Sequence, residues 1–269
     1  MKKDVKRRPF RRARRKAERK EETMQLVLVR HGEPDYAKDS LTQAGFCEAA
    51  LLAKRIETWP VTAFYCSPLG RAQATAQPTL AALHRTAQTL PWLREFSCGN
   101  YQTPDGSMEL GRTKSVPWDF YPDYWTADPR FGEHDHWMEP PVMQAQPEGI
   151  EARFAEVTAG IDALLAQYGY LREKGYYRIA PGAKRDALIV CFCHLGLADT
   201  VSAHLLHIAP PLLWQSFFMP PCSITVLNTE ERQGDIAAFR CQVMGDTSHL
   251  RAGGEPVSAM GAFGTVFQG

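Results

Sequence analysis

No stretch of about 18 consecutive apolar residues occurs in the chain, which excludes a membrane-spanning helix. The amino terminus is charged, with no apolar segment ahead of the first apolar strand, so no secretory leader is expected. Cysteine is sparse and odd in number, seven residues without a Cys-x-x-Cys pair. That argues against a disulfide framework and for a reducing compartment, and a cytoplasmic location is the expectation. Gly-x-Ser-x-Gly, Gly-x-Gly-x-x-Gly and Walker-type glycine loops are all missing, so the hydrolase-elbow, dinucleotide and nucleoside-triphosphatase readings lack support. His134-Asp135-His136 and His204-x-x-His207 have neither the spacing nor the extra ligands of a metal site. No metal and no cofactor are expected.

Net charge is also nearly absent, at +1, but this balance hides an asymmetry. Residues 1–20 hold twelve Lys or Arg against Asp4 and Glu18, which leaves the rest of the chain acidic. Any affinity for an anion must then come from a few focused arginines. Residues 1–23 read as a basic, disordered, dispensable extension, or at most a solvated helix over Arg11 to Glu22. Beyond what that extension could touch, neither nucleic acid nor membrane is an expected partner. A homodimer is left open.

From Met24 onward apolar strands alternate with amphipathic helices, the pattern of an α/β fold with a mostly parallel mixed sheet between helical layers. Thr42 is placed to cap a helix with Phe46, Ala49, Ala50, Ala53 and Ile56 on one face. A second helix begins near Leu69, and Pro78 is expected to kink or restart it. Ile150, Phe154, Val157, Ile161, Leu164, Leu165 and Tyr168 recur at helical spacing as core. Leu197 to His207 reads as a helix. Ser223–Leu227 and Ile236–Val243 read as late strands joined by a turn around Gln233-Gly234. Cys191 and Cys193 alternate in a strand as small buried hydrophobes. One domain spans 24–250, and 251–269 is a tail.

Residues 96–147 are unlike the rest, proline-rich and aromatic, with Trp118, Tyr121, Tyr124, Trp125, Phe131 and Trp137. Insertions this long are usually functional, and this segment is expected to be a lid gripping the organic part of a substrate. A pad over the sheet or a dimer contact is the alternative.

Chemistry-bearing residues sit just after the apolar runs. Met24 to Val29 ends at Arg30-His31-Gly32; Val61 to Cys66 is followed by Ser67-Pro68-Leu69-Gly70-Arg71; a run ending near Leu90 leads to Glu95; and Ala187 to Cys193 ends at His194-Leu195-Gly196. Strand ends of open α/β sheets are where ligands bind. Arginine offers a planar, always-charged fork for phosphate.

With these residues the sequence resembles the histidine phosphatase superfamily, which includes the cofactor-dependent phosphoglycerate mutases. The match lies at Arg30-His31-Gly32, Leu41-Thr42-x-x-Gly45, Ser67-Pro68-x-x-Arg71-Ala72-x-x-Thr75-Ala76, Glu95 and His194-x-Gly196. The resemblance implies a phosphoglycerate mutase-like α/β/α domain and a small phosphorylated metabolite as partner. It also implies His31 as nucleophile, Arg30, Arg71 and His194 around the phosphoryl oxygens, and Glu95 as proton donor and acceptor. Glu33 and Glu109 also lie near motif segments. His31 would attack as neutral imidazole, its other ring nitrogen donating to a backbone carbonyl.

Mutases of the family carry Ser or Thr and then Asn shortly after this first motif. Here the segment reads Glu33-Pro34-Asp35-Tyr36-Ala37, and Pro34 has neither hydroxyl nor backbone donor. Water is therefore the expected acceptor, with Glu33, Asp35, Tyr36 and Gly196 as substrate contacts. A mutase and a noncatalytic phospholigand-binding protein are the alternatives to a phosphatase.

Overall fold

The computed structural model describes residues 23–97, 122–146, 149–262 and 264–268. Apart from Thr23, the basic extension lies outside the described residues. So do Trp118, Tyr121 and Glu109.

In chain order, β1 (Gln25–Arg30) leads to a hairpin of β2 (Pro34–Asp35) and β3 (Ser40–Leu41), then α1 (Gln43–Ile56), β4 (Ala63–Cys66), α2 (Gly70–Ala82) and β5 (Ala87–Thr89). Two short helices follow, α3 (Pro122–Thr126) and α4 (Pro141–Gln144), then α5 (Ile150–Ala166), β6 (Tyr170–Glu173) and β7 (Tyr176–Ile179). The chain continues through β8 (Leu188–Cys193), α6 (Leu195–Leu206), α7 (Pro210–Ser216), β9 (Ile224–Gln233), β10 (Ile236–Asp246) and α8 (Ser248–Ala252).

Eight strands form one sheet in the order β5-β4-β8-β1-β9-β10-β7-β6. The expected α/β architecture is present, but its parallel part is smaller than the sequence suggested. Three pairings are parallel, from β5 to β1, and the remaining four are antiparallel. The reason is local: β9 and β10 are joined by a tight turn at Gly234 (φ 59°), and β6 and β7 by one at Lys174 (φ 56°) and Gly175. Hairpins of this kind can only pair antiparallel.

The side-chain period of two divides the core between the faces. In β1, Leu26 and Leu28 join the cluster under α5 and α6, while Val27 and Val29 join the one under α1 and α2. β8 repeats the division with Ile189, Cys191 and Cys193 against Leu188, Val190 and Phe192. Flanked by β1 and β4, it is buried at every position, the two cysteines included.

Two helix expectations need correction. Thr42 does cap α1, accepting from the Gly45 amide at 3.1 Å. Yet Phe46 is 44% exposed and Ala50 faces solvent, and the buried face is instead Gly45, Glu48, Ala49, Leu52, Ala53 and Ile56. The face is turned because Glu48 points inward, its carboxylate accepting from the Glu33 amide at 2.7 Å. α2 runs unbroken through Pro78. The proline is only partly buried, so the helical carbonyl deprived of its donor can meet water.

Three large aromatic rings of the described part of the insertion belong to the core. Trp125, Phe131 and Trp137 are at most 4% exposed. Trp137 packs edge-on against Trp214 of α7 at 5.4 Å and Phe154 of α5 at 5.0 Å, and Trp125 meets Phe131 at 4.9 Å. These three rings are a pad between helices and are not open to grip a substrate. Trp137→Ala should lower the unfolding free energy by about 3–5 kcal/mol, measured by urea titration. Unchanged stability with a raised KM would return this ring to the lid.

Candidate active site

Backbone pairing sets the site at the carboxyl edge of the parallel strands. The amide of His31 donates to the Cys193 carbonyl at 3.0 Å, and its own carbonyl accepts from Cys222 at 2.9 Å. His31 is thus pinned between β8 and β9 immediately beyond β1. Ser67 extends β4 in the same way, donating to Phe192 at 2.9 Å. His194 ends β8 and caps α6 in extended conformation. The two imidazoles meet with ring centroids 5.2 Å apart, both buried.

His31 Nδ1 lies 2.8 Å from the Gly32 carbonyl, which can only accept, so Nδ1 carries the proton and Nε2 a lone pair. Burial first, then the Arg30 guanidinium, pulls this imidazole down to about 3, so it is neutral at ordinary pH. His194 Nε2 is 2.7 Å from Ser67 Oγ, while its Nδ1 is buried without a partner. Burial, then His31 and Arg71, holds His194 well below its ordinary value.

Both arginines act on this pair. Arg71 is the second residue of α2. It is ion-paired to Asp39 at 2.8 Å and lies over the Tyr36 ring at 5.5 Å. Arg30 donates through Nη1 to the Met219 carbonyl at 2.6 Å and through Nη2 to that of Met260 at 3.1 Å. In each guanidinium Nε is buried with no hydrogen-bond partner. An anion at this edge would meet unspent donors.

Glu95 follows a single 3-10 turn at Pro91–Leu93. Its Oε1 accepts from the amides of Phe96 at 2.8 Å and Leu197 at 3.0 Å, the latter in the first turn of α6. Burial raises its affinity for a proton, opposed by those two amides and then by Arg71 and Arg30. Arg153 holds this loop from the buried face of α5, donating to the carbonyls of Trp92 at 3.1 Å and Arg94 at 2.7 Å.

The structure therefore brings His31, His194, Arg30, Arg71 and Glu95 into one electrostatic neighbourhood. Tyr36 joins through its stack on Arg71, and Gly196 lies beside the amide that holds Glu95. Asp35 instead pairs with Lys38 at 2.8 Å on the surface. Glu33 divides its carboxylate between Thr42 at 2.8 Å and Ser258 at 2.6 Å. The two histidine pairs considered as metal ligands lie elsewhere: His204 bonds Asp162 at 3.0 Å, and His134 stacks on His207 at 3.8 Å. Among the described residues no three His, Cys, Asp or Glu are grouped to hold a metal.

Sequence reasoning missed Asp39, Asp199, Arg153 and the return of the tail. Asp39 has φ 45°, and its carboxylate also accepts from the Gly70 amide at 2.6 Å. A Cβ on Gly70 would stand 2.1 Å from the Asp39 carbonyl, so glycine is required there. Nothing in the linear pattern pairs residues 39 and 70. Asp199 could have been suspected as the lone acid in α6 (Leu195–Leu206).

The chain was compared with known proteins. The description "Histidine phosphatase superfamily (branch 1)" matches residues 26–242. A protein of Yersinia pestis (strain Pestoides F) named probable phosphoglycerate mutase is 35% identical over 85 residues, 28% of this chain and 40% of that protein. The chain thus spans about two fifths of the curated relatives it matches. Phosphoserine phosphatase of Entamoeba histolytica, solved as a mutant with phosphoserine, superposes with TM-score 0.56 at 19% identity, covering 84% of this chain and 99% of that one. Mycobacterial glucosyl-3-phosphoglycerate phosphatase gives 0.55 at 20% identity, covering 83% and 99%.

Asp199 yields a test of the site's electrostatics. It is fully buried with both carboxylate oxygens unpartnered, and burial, then Glu95, raises it well above the ordinary carboxylate range. The folded state holds this proton more tightly than the unfolded chain does. Stability is therefore fully present below the ordinary carboxylate value and is lost as pH rises above it. Asp199→Asn should melt about 2–6 °C above the parent at alkaline pH and converge with it in acid. A gap independent of pH would clear the carboxyl of the penalty.

Proposed function

This chain belongs to the histidine phosphatase superfamily, and from that premise we propose that it is a phosphatase releasing phosphate from small phosphomonoesters through a phosphohistidine on His31. Membership makes it an enzyme acting on phosphate groups; the choice of water as acceptor is our reading. The observation that carries it is the neutral His31 Nε2 in the electrostatic neighbourhood of buried, unpartnered Nε donors on Arg30 and Arg71 and of the His194 imidazole.

Phosphate monoesters resist attack because a dianion repels nucleophiles and its alkoxide leaves poorly. Dividing the reaction into two transfers lowers each barrier. In the first, the Nε2 lone pair forms the N–P bond while the ester P–O bond breaks. The cations around the three non-bridging oxygens stabilise their charge as the phosphoryl group moves. Arg30 contributes through its unspent Nε, since Nη1 and Nη2 are held by carbonyls. Glu95, whose affinity for a proton burial raises, gives its proton to the departing oxygen. In the second transfer Glu95, now a carboxylate, takes a proton from water as the water oxygen bonds phosphorus and the N–P bond breaks. Nothing is consumed except the ester and water.

Two features favour water over a second phosphorylated ligand. Pro34 offers no donor beside the first motif. Glu33, which could have reached a ligand, is occupied by Thr42 and Ser258. Phosphoryl transfer between phosphoglycerates with negligible phosphate release would replace this reading with a mutase.

Labelled substrate should leave an acid-labile, base-stable adduct on the protein, absent from His31→Ala, whose kcat should fall at least about a thousandfold. Full turnover by His31→Ala would end the proposal. The pH profile supplies a second check. With His31 neutral down to about 3, kcat/KM should show no His31 limb between about pH 5 and 8. It should decline on the alkaline side as Glu95 loses its proton. Glu95→Gln should remove that decline and slow poor leaving groups about a hundredfold, sparing good ones. An unchanged profile would assign the acid elsewhere.

A further inference from the structure

A cavity of about 500 Å³ lies against the site on its β9 side, within the size range of small-molecule pockets. It shares three boundaries with the catalytic edge. Leu195, one of its walls, directly follows His194. Phe218, another, has the Arg30 guanidinium over its ring at 5.5 Å. Gly261 forms a third where the tail crosses Arg30; a Cβ there would come within 3.2 Å of Arg30 Nη2. The guanidinium therefore stands between the histidine pair and this space.

The lining decides what the cavity can hold. Among the described residues its rings are Trp214, Phe217, Phe218 and Phe267, and none of the described lining side chains is acidic or basic. Phe217 is 49% and Phe267 83% exposed, apolar surface that an occupant would cover. Gln215, also in the wall, leaves its amide oxygen buried without a partner, an acceptor for a hydroxyl or N–H. A carboxylate or second phosphate entering here would lose its water without gaining a counter-charge.

We infer that this cavity takes the alcohol portion of the substrate and that this portion is an uncharged, ring-bearing group. The inference rests on the phosphatase reading and narrows its substrate class. Burial of a flat ring between Phe217, Phe218 and Phe267 supplies the binding, and the lack of charge in the described lining disfavours esters whose alcohol portion is itself charged. Gly261, Ala262, Thr265, Val266 and Phe267 of the tail build one wall, so the pocket depends on their placement.

The test compares 2-phenylethyl phosphate, ethyl phosphate and 3-phosphoglycerate, all esters of aliphatic alcohols. Purified wild-type protein should give the phenylethyl ester the highest kcat/KM, by at least about tenfold, as burial of one ring predicts. The double variant Phe217→Ala/Phe267→Ala, altered only at exposed rings, should lose most of that preference and keep its rate on ethyl phosphate. Equal or better hydrolysis of 3-phosphoglycerate, or a preference untouched by the double variant, overturns the inference. If none of the three esters is hydrolysed, the phosphatase reading fails, and calorimetry with 2-phenylethylphosphonate decides the cavity on its own. Tighter binding to wild type than to the double variant supports it; equal binding ends it.

Discussion

The parallel pairing of β1 with β8 is the constraint on which the site depends. Its register sets Arg30 opposite Cys193, and the hydrogen bond from His31 to the Cys193 carbonyl continues the ladder one residue past the strand. Two histidines 163 positions apart in the chain are thereby laid side by side at one edge. A slip of one residue would turn every side chain of β1 to the opposite face. It would exchange Leu26 and Leu28 for Val27 and Val29 between the two core clusters. The apolar packing on both faces thus helps to fix the geometry of the site, since a one-residue slip buries the wrong set on each face.

That placement creates an electrostatic problem which the surrounding residues resolve differently for each group. The imidazoles respond to burial by remaining neutral, and for His31 this is the reactive form. The acids respond by binding protons more tightly, and for Glu95 that is the direction a proton donor requires on the proposed reading. Arg30 and Arg71 oppose the second effect and reinforce the first, so the same two cations deter protonation of the nucleophile and temper the acid. Asp199 shares the burial without any hydrogen bond to soften it. Glu95 differs in receiving two backbone amides, one from the positive end of α6.

The strand ends were legible in the sequence because burial on both faces writes a continuous apolar run, and the reactive residues interrupt those runs abruptly. The amphipathic α5 and the capped start of α1 were legible for similar reasons of period and cap chemistry. The edge formed by β6 and β7 was not. β6 and β7 are four residues each, and Tyr170, Tyr177 and Ile179 alternate with polar neighbours too briefly to set a period. The face of α1 was misjudged because Glu48 counts as polar in any pattern, yet its carboxylate is needed inside to receive the Glu33 amide. Trp125 and Trp137 misled for the opposite reason. Large aromatics in an irregular segment look like a binding surface, and only the position of Trp214 on α7 shows that they complete a core.

Arg30 links these separate features. Its backbone belongs to β1 and its charge bears on His31 and His194, while its two Nη groups hold Met219, just before β9, and Met260 in the tail. Ser258 adds a second tie from the tail to Glu33, at the start of the hairpin. The tail is thus anchored to the two residues that flank His31-Gly32, and its remaining length forms a wall of the adjoining cavity. A chain end held in this way couples the phosphate end of a ligand to its alcohol end. Movement of Arg30 toward an anion would loosen Met260, and loss of the tail would free Nη2 and open the cavity together. The side chain proposed to neutralise phosphate charge is therefore also the one that ties the tail beside the neighbouring pocket.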